Sequence, residues 1–465
     1  MNWINKNKVL LVLILFLVCL QTPSIAVFFS ADDWYHLRVS NIDSINEFVN
    51  FFKFTKNEQS ISFYRPLPTQ VFFLVFYKLF QLNQVPYHLF VLLTFGLSLY
   101  YIYALASLLF KNNHAGLLTV LLYGFASSNQ TRIFFLSHYQ EVLMSLFVVS
   151  GIYYYLKGKS LLATILYLLA LMSKETAVVF PFLVFLLNIN NLKKRIFSLG
   201  IILIITSIYL FLRFSFFGLA TGDSYNWSFS VGSTLNSLFW YIAWSLGAPE
   251  LLLDYIGSLL IPINRFYTDF SYWPVIIFPI VALILMCIFL IVKSIKKINF
   301  TLIIYASAFL FSLLPFLFLP SHKFAVSLGV ALLFFDLILV WLIIKNTKYL
   351  YLFIFLFLIL NIPMGILNSM RHYSVGRSSI SKSVYEFVQS KYPVKPKDSY
   401  LEFINDTPII AASWGSSRQI SNSIQGSEMF RLLYDQSDYQ VYYEDEPGDR
   451  PSTNKISIST KQFLK

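Results

Sequence analysis

Long apolar runs separated by short basic loops constrain this chain more than any other feature of its sequence. About eleven of these runs are long enough to cross a bilayer as helices. A soluble domain carries about 25% charged residues, whereas this chain carries 12% and cannot cover a water-facing surface of its size. The runs predict an all-α polytopic membrane protein. The predicted spans are residues 9–29, 87–110, 115–135, 141–156, 160–173, 176–190, 196–213, 273–292, 300–319, 324–344 and 348–367.

The charges of the connecting loops alternate along the chain and predict its topology. One set of loops holds thirteen Lys and Arg residues and no Asp or Glu. The positive-inside rule makes this set cytoplasmic, so we expect a multi-pass plasma-membrane protein with its N-terminus inside and its C-terminus outside. Of the 23 acidic residues, only Asp336 lies within a predicted span. The inner cations are Lys6, Lys8, Lys111, Lys157, Lys159, Lys193, Lys194, Arg195, Lys293, Lys296, Lys297, Lys345 and Lys348.

The first run and the net charge each allow another interpretation. Ser24-Ile25-Ala26 resembles the cleavage site of a signal peptide, but the many later spans favour a retained first helix. The net charge of +12 could indicate nucleic acid. Because the cations lie in the inner loops, we interpret them as topology signals and expect no nucleic-acid partner. Cys19 and Cys287 lie in apolar runs and support neither a disulfide framework nor a cysteine metal site.

Two apolar stretches do not fit the alternation of inner and outer loops. Residues 66–82 and 231–260 would reverse it if they crossed the membrane. Both contain Pro or Gly breaks and many aromatic residues, which suit the headgroup region. We therefore predict interfacial helices in the outer loops, the first of them within the loop 30–86.

The polar tail, residues 368–465, predicts a second domain after the transmembrane domain 1–367. Residues 400–404 and 440–443 have the pattern of strands, and residues 427–434 that of a short helix. The tail is therefore expected to form a small C-terminal α/β extracytoplasmic domain.

Several outer acidic residues stand where a helix has just left the membrane. Asp32 and Asp33 follow the first span, Glu141 opens the fourth, and Glu175 opens the sixth beside Lys174. If these spans are neighbours, the carboxylates converge on one outer cavity at the membrane surface.

Such a cavity suits a lipid-linked sugar, whose tail stays in the bilayer while its head lies at the interface. Transfer needs a base for the acceptor hydroxyl and positive charge for the departing phosphate. An Asp can be the base. The candidate cations are Arg65, Lys174, His322 and Lys323, at the outer ends of spans or interfacial helices.

Each of these residues also has a plainer interpretation. Asp32 and Asp33 could begin a solvated loop, and Glu141 could simply favour a helix N-terminus. Lys174-Glu175 could be an adjacent ion pair, and His322-Lys323 an interfacial anchor. Asp336 could be functional, as intramembrane acids often are, or could hydrogen-bond a neighbouring helix; it lies too deep for the outer cavity.

Six short segments at the outer ends of the predicted helices follow one another in a characteristic order. They are Asp32-Asp33-Trp34-Tyr35-His36-Leu37-Arg38, Tyr64-Arg65-Pro66-Leu67, Pro86-Tyr87-His88-Leu89, His138-Tyr139-Gln140-Glu141, Met172-Ser173-Lys174-Glu175-Thr176-Ala177 and, as a weak match, Leu319-Pro320-Ser321-His322-Lys323. In these segments the chain resembles the membrane glycosyltransferases of superfamily C, which have the GT-C type fold. That group includes protein O-mannosyltransferases, aminoarabinose transferases and the catalytic subunit of oligosaccharyltransferase. The resemblance covers residues 1–345 and is closest to the mannosyltransferase-like branch, glycosyltransferase family 39-like.

The resemblance implies a polyprenyl-phosphate or polyprenyl-diphosphate sugar donor and an inverting in-line displacement at the anomeric carbon. Asp32 matches the family's first-loop acid and is the candidate base, with Asp33 second. The resemblance implies two further groups of residues. Donor phosphate would be bound by Arg65, His138, Lys174, His322 and Lys323, and sugar or acceptor would be oriented by His36, Arg38, Tyr64, Glu141 and Glu175.

The cofactor and the acceptor are less constrained by the resemblance. Oligosaccharyltransferases carry an Asp-x-Asp in the second outer loop and use a divalent metal. That motif is absent here, so a metal is possible but not favoured, and no metal ligands are assigned. The acceptor could be a protein, a lipid or a glycan.

Two other classes of function remain open at this stage. A transporter or flippase of a polar or lipid-linked substrate should hold its essential charges inside the spans and often has repeated halves. We find no repeat, and only Asp336 lies deep. A non-catalytic scaffold or receptor would have no need for acids that converge from separate loops.

Overall fold

The computed structural model describes residues 8–56, 63–189, 192–219, 221–222, 225–257, 261–405 and 415–464. Of the residues named above, Lys6 lies outside this description, as do the side chains of Lys193 and Lys194. The last three residues of the predicted interfacial stretch 231–260 also lie outside it.

The described residues form α-helices over most of their length. The first ten helices are α1 (Lys8–Cys19), α2 (Asp32–Ser40), α3 (Ile45–Asn50), α4 (Phe72–Phe80), α5 (Gln84–Phe110), α6 (Asn113–Phe125), α7 (Asn129–Ile133), α8 (Tyr139–Leu156), α9 (Ser160–Leu171) and α10 (Phe180–Leu187). The others are α11 (Leu192–Phe216), α12 (Val231–Leu246), α13 (Asn264–Asp269), α14 (Trp273–Ser294), α15 (Phe300–Leu317), α16 (Gly329–Ile344), α17 (Leu350–Arg371), α18 (Tyr373–Lys391), α19 (Ser416–Ile424) and α20 (Glu428–Leu433). Short turns of tighter or wider helix include Thr22–Ala26, Pro66–Val71, Leu136–His138, Glu175–Val179, Glu250–Asp254 and Ala325–Leu328.

Seven helical segments of the described chain are long and apolar enough to cross a membrane. Each overlaps a predicted span, and the fold is that of an α-helical membrane protein with a small sheet. The segments are Lys8–Ala26, Gln84–Phe110, Arg195–Phe216, Trp273–Lys297, Phe300–Leu317, Ala325–Ile344 and Thr347–Lys391.

The other four predicted spans coincide with the helices α6, α8, α9 and α10. Two of these regions, Ser160–Leu171 and Glu175–Leu187, are apolar but shorter than a full crossing. The count of eleven spans therefore stays a prediction. So does the interfacial position of residues 66–82, whose helix Pro66–Phe80 is apolar and short.

Helix α16 forms the centre of the helical domain. In the segment Ala325–Ile344, 89% of the most apolar stretch is buried, whereas in Lys8–Ala26 the buried share is 22%. Helices α6, α8, α14 and α15 pack around α16. Gly329 lets α16 approach α8 closely, because a Cβ there would lie 2.2 Å from Ser145 Oγ. A helix that is apolar on all sides can lie in a protein core or against lipid. The buried fraction places Ala325–Ile344 in the core, whereas most of the Lys8–Ala26 surface is exposed.

The acids of the predicted outer loops and the cations of the predicted inner loops lie at separate helix ends. Arg195 donates a hydrogen bond from Nη2 to Leu156 O at 2.9 Å, and Lys297 Nζ donates to Lys345 O at 3.1 Å. The basic loops therefore meet one another at one end of the bundle. We call the end that carries Asp32, Glu141 and Glu175 the acidic face.

The tail forms a parallel three-stranded sheet in the order β2-β1-β3, with β1 at Ser399–Ile404, β2 at Tyr442–Tyr443 and β3 at Asn454–Ser459. Parallel strands need long crossovers, and α19 and α20 lie in the crossover between β1 and β2. Leu401 and Phe403 are fully buried. The Phe403 ring stacks on that of Tyr443 with centroids 5.5 Å apart. The sequence predicted β1, β2 and α20 close to these positions but not β3 or α19.

The orientation of the chain across a membrane is testable by cysteine labelling. In a protein whose Cys19 and Cys287 are replaced by Ala, we expect Asp438→Cys in the tail to react with a membrane-impermeant maleimide in intact cells. Lys296→Cys should react only after the membrane is permeabilised, because basic loops stay inside. Labelling in the opposite order would contradict the predicted topology.

Candidate functional site

A cavity of about 720 Å³ opens at the acidic face. Its walls come from α2, from the chain segments near residues 65, 138, 174 and 322, from the end of α11 and from the tail. Seven of the residues that the sequence singled out line this cavity. They are Asp32, His36, Arg65, His138, Lys174, Glu175 and His322.

Asp32 is the first residue of α2 and opens into the cavity. Protein surrounds the cavity, but the cavity admits water, and Asp32 is therefore exposed to solvent. Desolvation by these walls raises the pKa of the Asp32 carboxyl, while the Arg377 and Arg65 guanidiniums oppose that rise. A carboxylate with a raised pKa is a stronger base than one in open solvent. Ala31, just before it, has a φ of 47°, which is costly for a residue with a side chain.

Asp33 points away from the cavity and is only 1% exposed. Its Oδ1 accepts hydrogen bonds from the Ser137 N–H at 2.7 Å and the Ser137 hydroxyl at 2.5 Å, and its Oδ2 accepts from the Ser30 N–H at 3.0 Å. Burial raises the pKa of Asp33 to about 7, against the effect of these hydrogen bonds. Asp33 therefore joins α2 to the loop before α8. The two adjacent acids occupy different environments.

Three hydrogen bonds to two residues hold Arg65 at the cavity wall. Its Nε donates to Glu175 Oε2 at 2.8 Å, its Nη2 donates to the other Glu175 oxygen, and its Nη1 donates to Gln140 Oε1 at 2.6 Å. The bidentate geometry fixes the guanidinium plane. A guanidinium has five N–H donors, so Arg65 retains donors for a ligand in the cavity.

Lys174 pairs with Glu141 rather than with its sequence neighbour. Lys174 Nζ donates to Glu141 Oε1, with the side chains 10% and 1% exposed. Glu141 Oε2 has no hydrogen-bond partner among the described residues. Glu141 lies behind the cavity wall and does not line it. The ammonium has three N–H donors, so Lys174 too keeps donors for a ligand.

The three histidines of the cavity are neutral at neutral pH. Burial lowers the pKa of His36 and of His138 to about 3 each, and that of His322 to about 4. His138 Nδ1 lies 2.6 Å from Thr131 O, so we assign the proton to this nitrogen. The His322 ring stacks on Tyr225 with centroids 4.1 Å apart. A neutral His322 can offer a hydrogen bond to a phosphate but not the positive charge that the sequence suggested for it. The single N–H of His138 is donated to Thr131 O, so the other ring nitrogen of His138 can only accept a hydrogen bond.

Three other residues that the sequence singled out also lie outside the cavity lining. Arg38 forms an ion pair with Glu428 of α20. Tyr64 is 4% exposed, and its ring stacks on Phe54 with centroids 3.8 Å apart. Lys323 Nζ donates to Asn236 Oδ1 at 2.7 Å. The predicted orienting and phosphate-binding roles of these residues have no support from their positions in the free protein.

Two arginines that the sequence interpretation did not use also line the cavity. Arg213 ends the predicted span 196–213, and its Nη1 donates to Gly218 O at 2.8 Å. Arg377 comes from α18, and its guanidinium lies 5.0 Å from the Tyr373 ring centre. The sequence could have pointed to both arginines, because under the positive-inside rule a cation beyond the outer end of a predicted span is unusual.

A metal cofactor would need several ligand side chains close together in the site. Among the residues that the structure describes, no group of three or more His, Cys, Asp or Glu side chains could hold a metal ion. Independence from metal stays a prediction.

The buried pair of Glu141 and Lys174 predicts a stability effect. Glu141→Leu leaves an unpaired buried ammonium and should cost roughly 3–5 kcal/mol, whereas the double variant Glu141→Leu/Lys174→Met should regain most of that loss. Thermal unfolding of the purified protein in detergent measures both. Glu386→Leu is the control, because the Lys382–Glu386 pair is 53% and 64% exposed. Equal effects of Glu141→Leu and Glu386→Leu would contradict the buried pair.

Comparison with known proteins adds no relative to this picture. No family model matches the sequence, and no curated protein matches it. The interpretation of the cavity accordingly depends on its own residues and their geometry.

Proposed function

We propose that this protein is a glycosyltransferase that moves a sugar from a polyprenyl-phosphate-linked donor to an acceptor at the extracytoplasmic face of the plasma membrane. One observation carries the proposal. The Asp32 carboxylate opens into a cavity at the helix ends that also contains Arg65, Lys174 and Arg213. A base and several phosphate-binding cations thus face the same space beside the apolar helices.

The reaction is an in-line displacement with inversion at the anomeric carbon. Asp32 accepts the proton of the acceptor hydroxyl as the hydroxyl oxygen bonds to that carbon. The bond between the anomeric carbon and the phosphate oxygen breaks, and the polyprenyl phosphate leaves with the electron pair. The Arg65 and Lys174 donors that are not used within the protein stabilise the charge on the leaving phosphate.

The ion pairs suit this task because they keep the cations in place before substrate arrives. Glu175 fixes the Arg65 guanidinium plane, and Glu141 holds Lys174. Preorganised charges need little rearrangement in the transition state, which is the main source of electrostatic catalysis. Glu141 and Glu175 are positioning residues in this mechanism.

An apolar side of the cavity suits the lipid part of the donor. Phe214, Leu219, Trp227 and Phe316 line it, and Phe214 is 52% exposed. The polyprenyl chain would lie along this side while its phosphate reaches Arg213 and Arg65. Membership of superfamily C, in the mannosyltransferase-like branch, is part of the same proposal and is supported by the order of the six matching segments in the sequence.

A transporter or flippase is the second candidate, favoured by one observation. Asp336 lies within α16, is 0% exposed, and neither of its oxygens has a hydrogen-bond partner among the described residues. Intramembrane acids of this kind mark ion or substrate paths in many transporters.

The variant Asp336→Asn separates the two candidates. If the protein is a transferase, sugar transfer should continue, because Asp336 does not line the cavity. The measurement compares sugar transfer by detergent-solubilised protein with substrate movement in proteoliposomes. Movement without sugar transfer in the unmodified protein, abolished by Asp336→Asn, would favour the transporter.

The adjacent acids provide the sharpest test of the transferase. Asp32→Asn should lower the transfer rate by about 10²–10⁴-fold, the usual contribution of a general base, with the unfolding temperature unchanged. Asp33→Asn should instead destabilise the fold by roughly 1–3 kcal/mol, because its amide group leaves a buried N–H donor without an acceptor.

The assay uses membranes from cells that lack the protein, which hold the unused donor and acceptor. Purified protein is added, and mass spectrometry follows the missing glycan and the accumulated lipid-linked sugar. Full transfer by folded Asp32→Asn protein would refute the assignment of the base.

A further inference from the structure

The tail contributes one complete wall of the cavity. Tyr373 and Arg377 come from α18, and Asn422 and Gln425 come from α19 and the residue that follows it. The sequence analysis assigned none of these four residues a role. The wall faces Asp32, since the Arg377 guanidinium acts electrostatically on the Asp32 carboxyl.

Hydrogen bonds on both sides of Asp32 fix this wall. The Ala31 N–H donates to Ser423 O at 2.8 Å, and Trp34 Nε1 donates to Ser381 Oγ at 2.8 Å. The acceptors are Ser381 of α18 and Ser423 of α19. The residue before the acid and the residue two positions after it are therefore both tied to the tail, which sets the distance between Asp32 and the tail wall.

The side-chain amides of this wall have no hydrogen-bond partner among the residues that the structure describes. Asn422 is half-buried and Gln425 is exposed, and neither side chain forms a hydrogen bond with another described residue. Gln425 has a φ of 55° because it ends α19 in the left-handed conformation that is common at helix C-termini.

Arg377 is the charged member of the wall. Among the described residues it forms no ion pair and no hydrogen bond; its guanidinium lies 5.0 Å from the centre of the Tyr373 ring and acts electrostatically on the Asp32 carboxyl. Arg65 and Lys174, by contrast, are each paired with a Glu. A guanidinium without a carboxylate partner is suited to bind the carboxylate or phosphate of a ligand.

Resting on the function proposed above, we propose that Arg377, Asn422 and Gln425 bind the acceptor, and that this acceptor is a sugar hydroxyl of an acidic glycan. Carboxamides both donate and accept hydrogen bonds, which matches the neighbouring hydroxyls of a sugar. Arg377 binds the acid group of the glycan. Tyr35 and Tyr373 add aromatic surface to the same side.

A glycan fits this wall better than a peptide does. Extended peptides are commonly bound by addition to a sheet edge. Among the described residues, no strand of the tail sheet contributes to the cavity lining. The acceptor hydroxyl then faces Asp32 from the tail side while the donor occupies the apolar side.

The experiment separates acceptor binding from donor binding. Transfer rates are measured with membranes from cells lacking the protein, as above, for Arg377→Gln and for the double variant Asn422→Ala/Gln425→Ala. Binding of polyprenyl phosphate, used as the probe for the donor side, is measured by the rise it causes in unfolding temperature. Arg371→Gln and Asn454→Ala are the controls, because both residues are exposed and lie outside the cavity.

We expect Arg377→Gln to lower transfer by about tenfold to a hundredfold and the double amide variant by about tenfold, as for lost charged and neutral hydrogen bonds. Polyprenyl phosphate binding should match the unmodified protein in both, and the missing sugar should be found on a glycan that carries a carboxylate or phosphate. Unchanged transfer, lost polyprenyl phosphate binding in these variants, or a product on a peptide or a neutral glycan would overturn this inference. The base assignment is tested separately by Asp32→Asn, so its failure is distinguishable.

Discussion

The organisation of the cavity depends on two ion pairs, in which the adjacent residues Lys174 and Glu175 each bind a different partner. Two neighbouring residues of opposite charge would ordinarily satisfy each other, yet Lys174 pairs with Glu141 and Glu175 pairs with Arg65. The turn after α9 is thereby tied to α8 on one side and to the segment before α4 on the other. Breaking the buried Lys174–Glu141 pair leaves an uncompensated charge, and the Arg65–Glu175 pair is partly buried, so the three segments are held in one arrangement.

The sequence predicted the placement of segments better than the roles of single residues. The apolar runs predicted the seven long apolar helices. The alternation of basic and acidic loops predicted that Asp32, Arg65, Lys174 and Glu175 lie at one face, because helix ends on the same side of a membrane lie near one another. It could not distinguish Asp32 from Asp33. That difference arises from the Ser137 contact, which joins residues 104 positions apart.

Other features were unpredictable because they arise from burial. The pKa values of His138 and His322 are lowered by burial in the folded site and by the nearby Lys174 ammonium, neither of which is visible in the sequence around them. The contribution of the tail residues was also unpredictable, because it depends on how the tail packs against the helices. Asn422 and Gln425 lie in a segment without a recognisable motif, and they reach the cavity because the main chain beside them, at Ser423, accepts a hydrogen bond from Ala31.

The arrangement of the walls suggests why a membrane-bound active site would recruit a water-facing domain. The helical part of the cavity offers apolar rings such as Phe214 and cations such as Arg213, which suit a phosphate attached to a lipid. The tail supplies carboxamides and an arginine without an acidic partner on the opposite side. An in-line displacement needs its two substrates on opposite sides of the reacting carbon, so walls of different chemistry would orient donor and acceptor before the reaction begins.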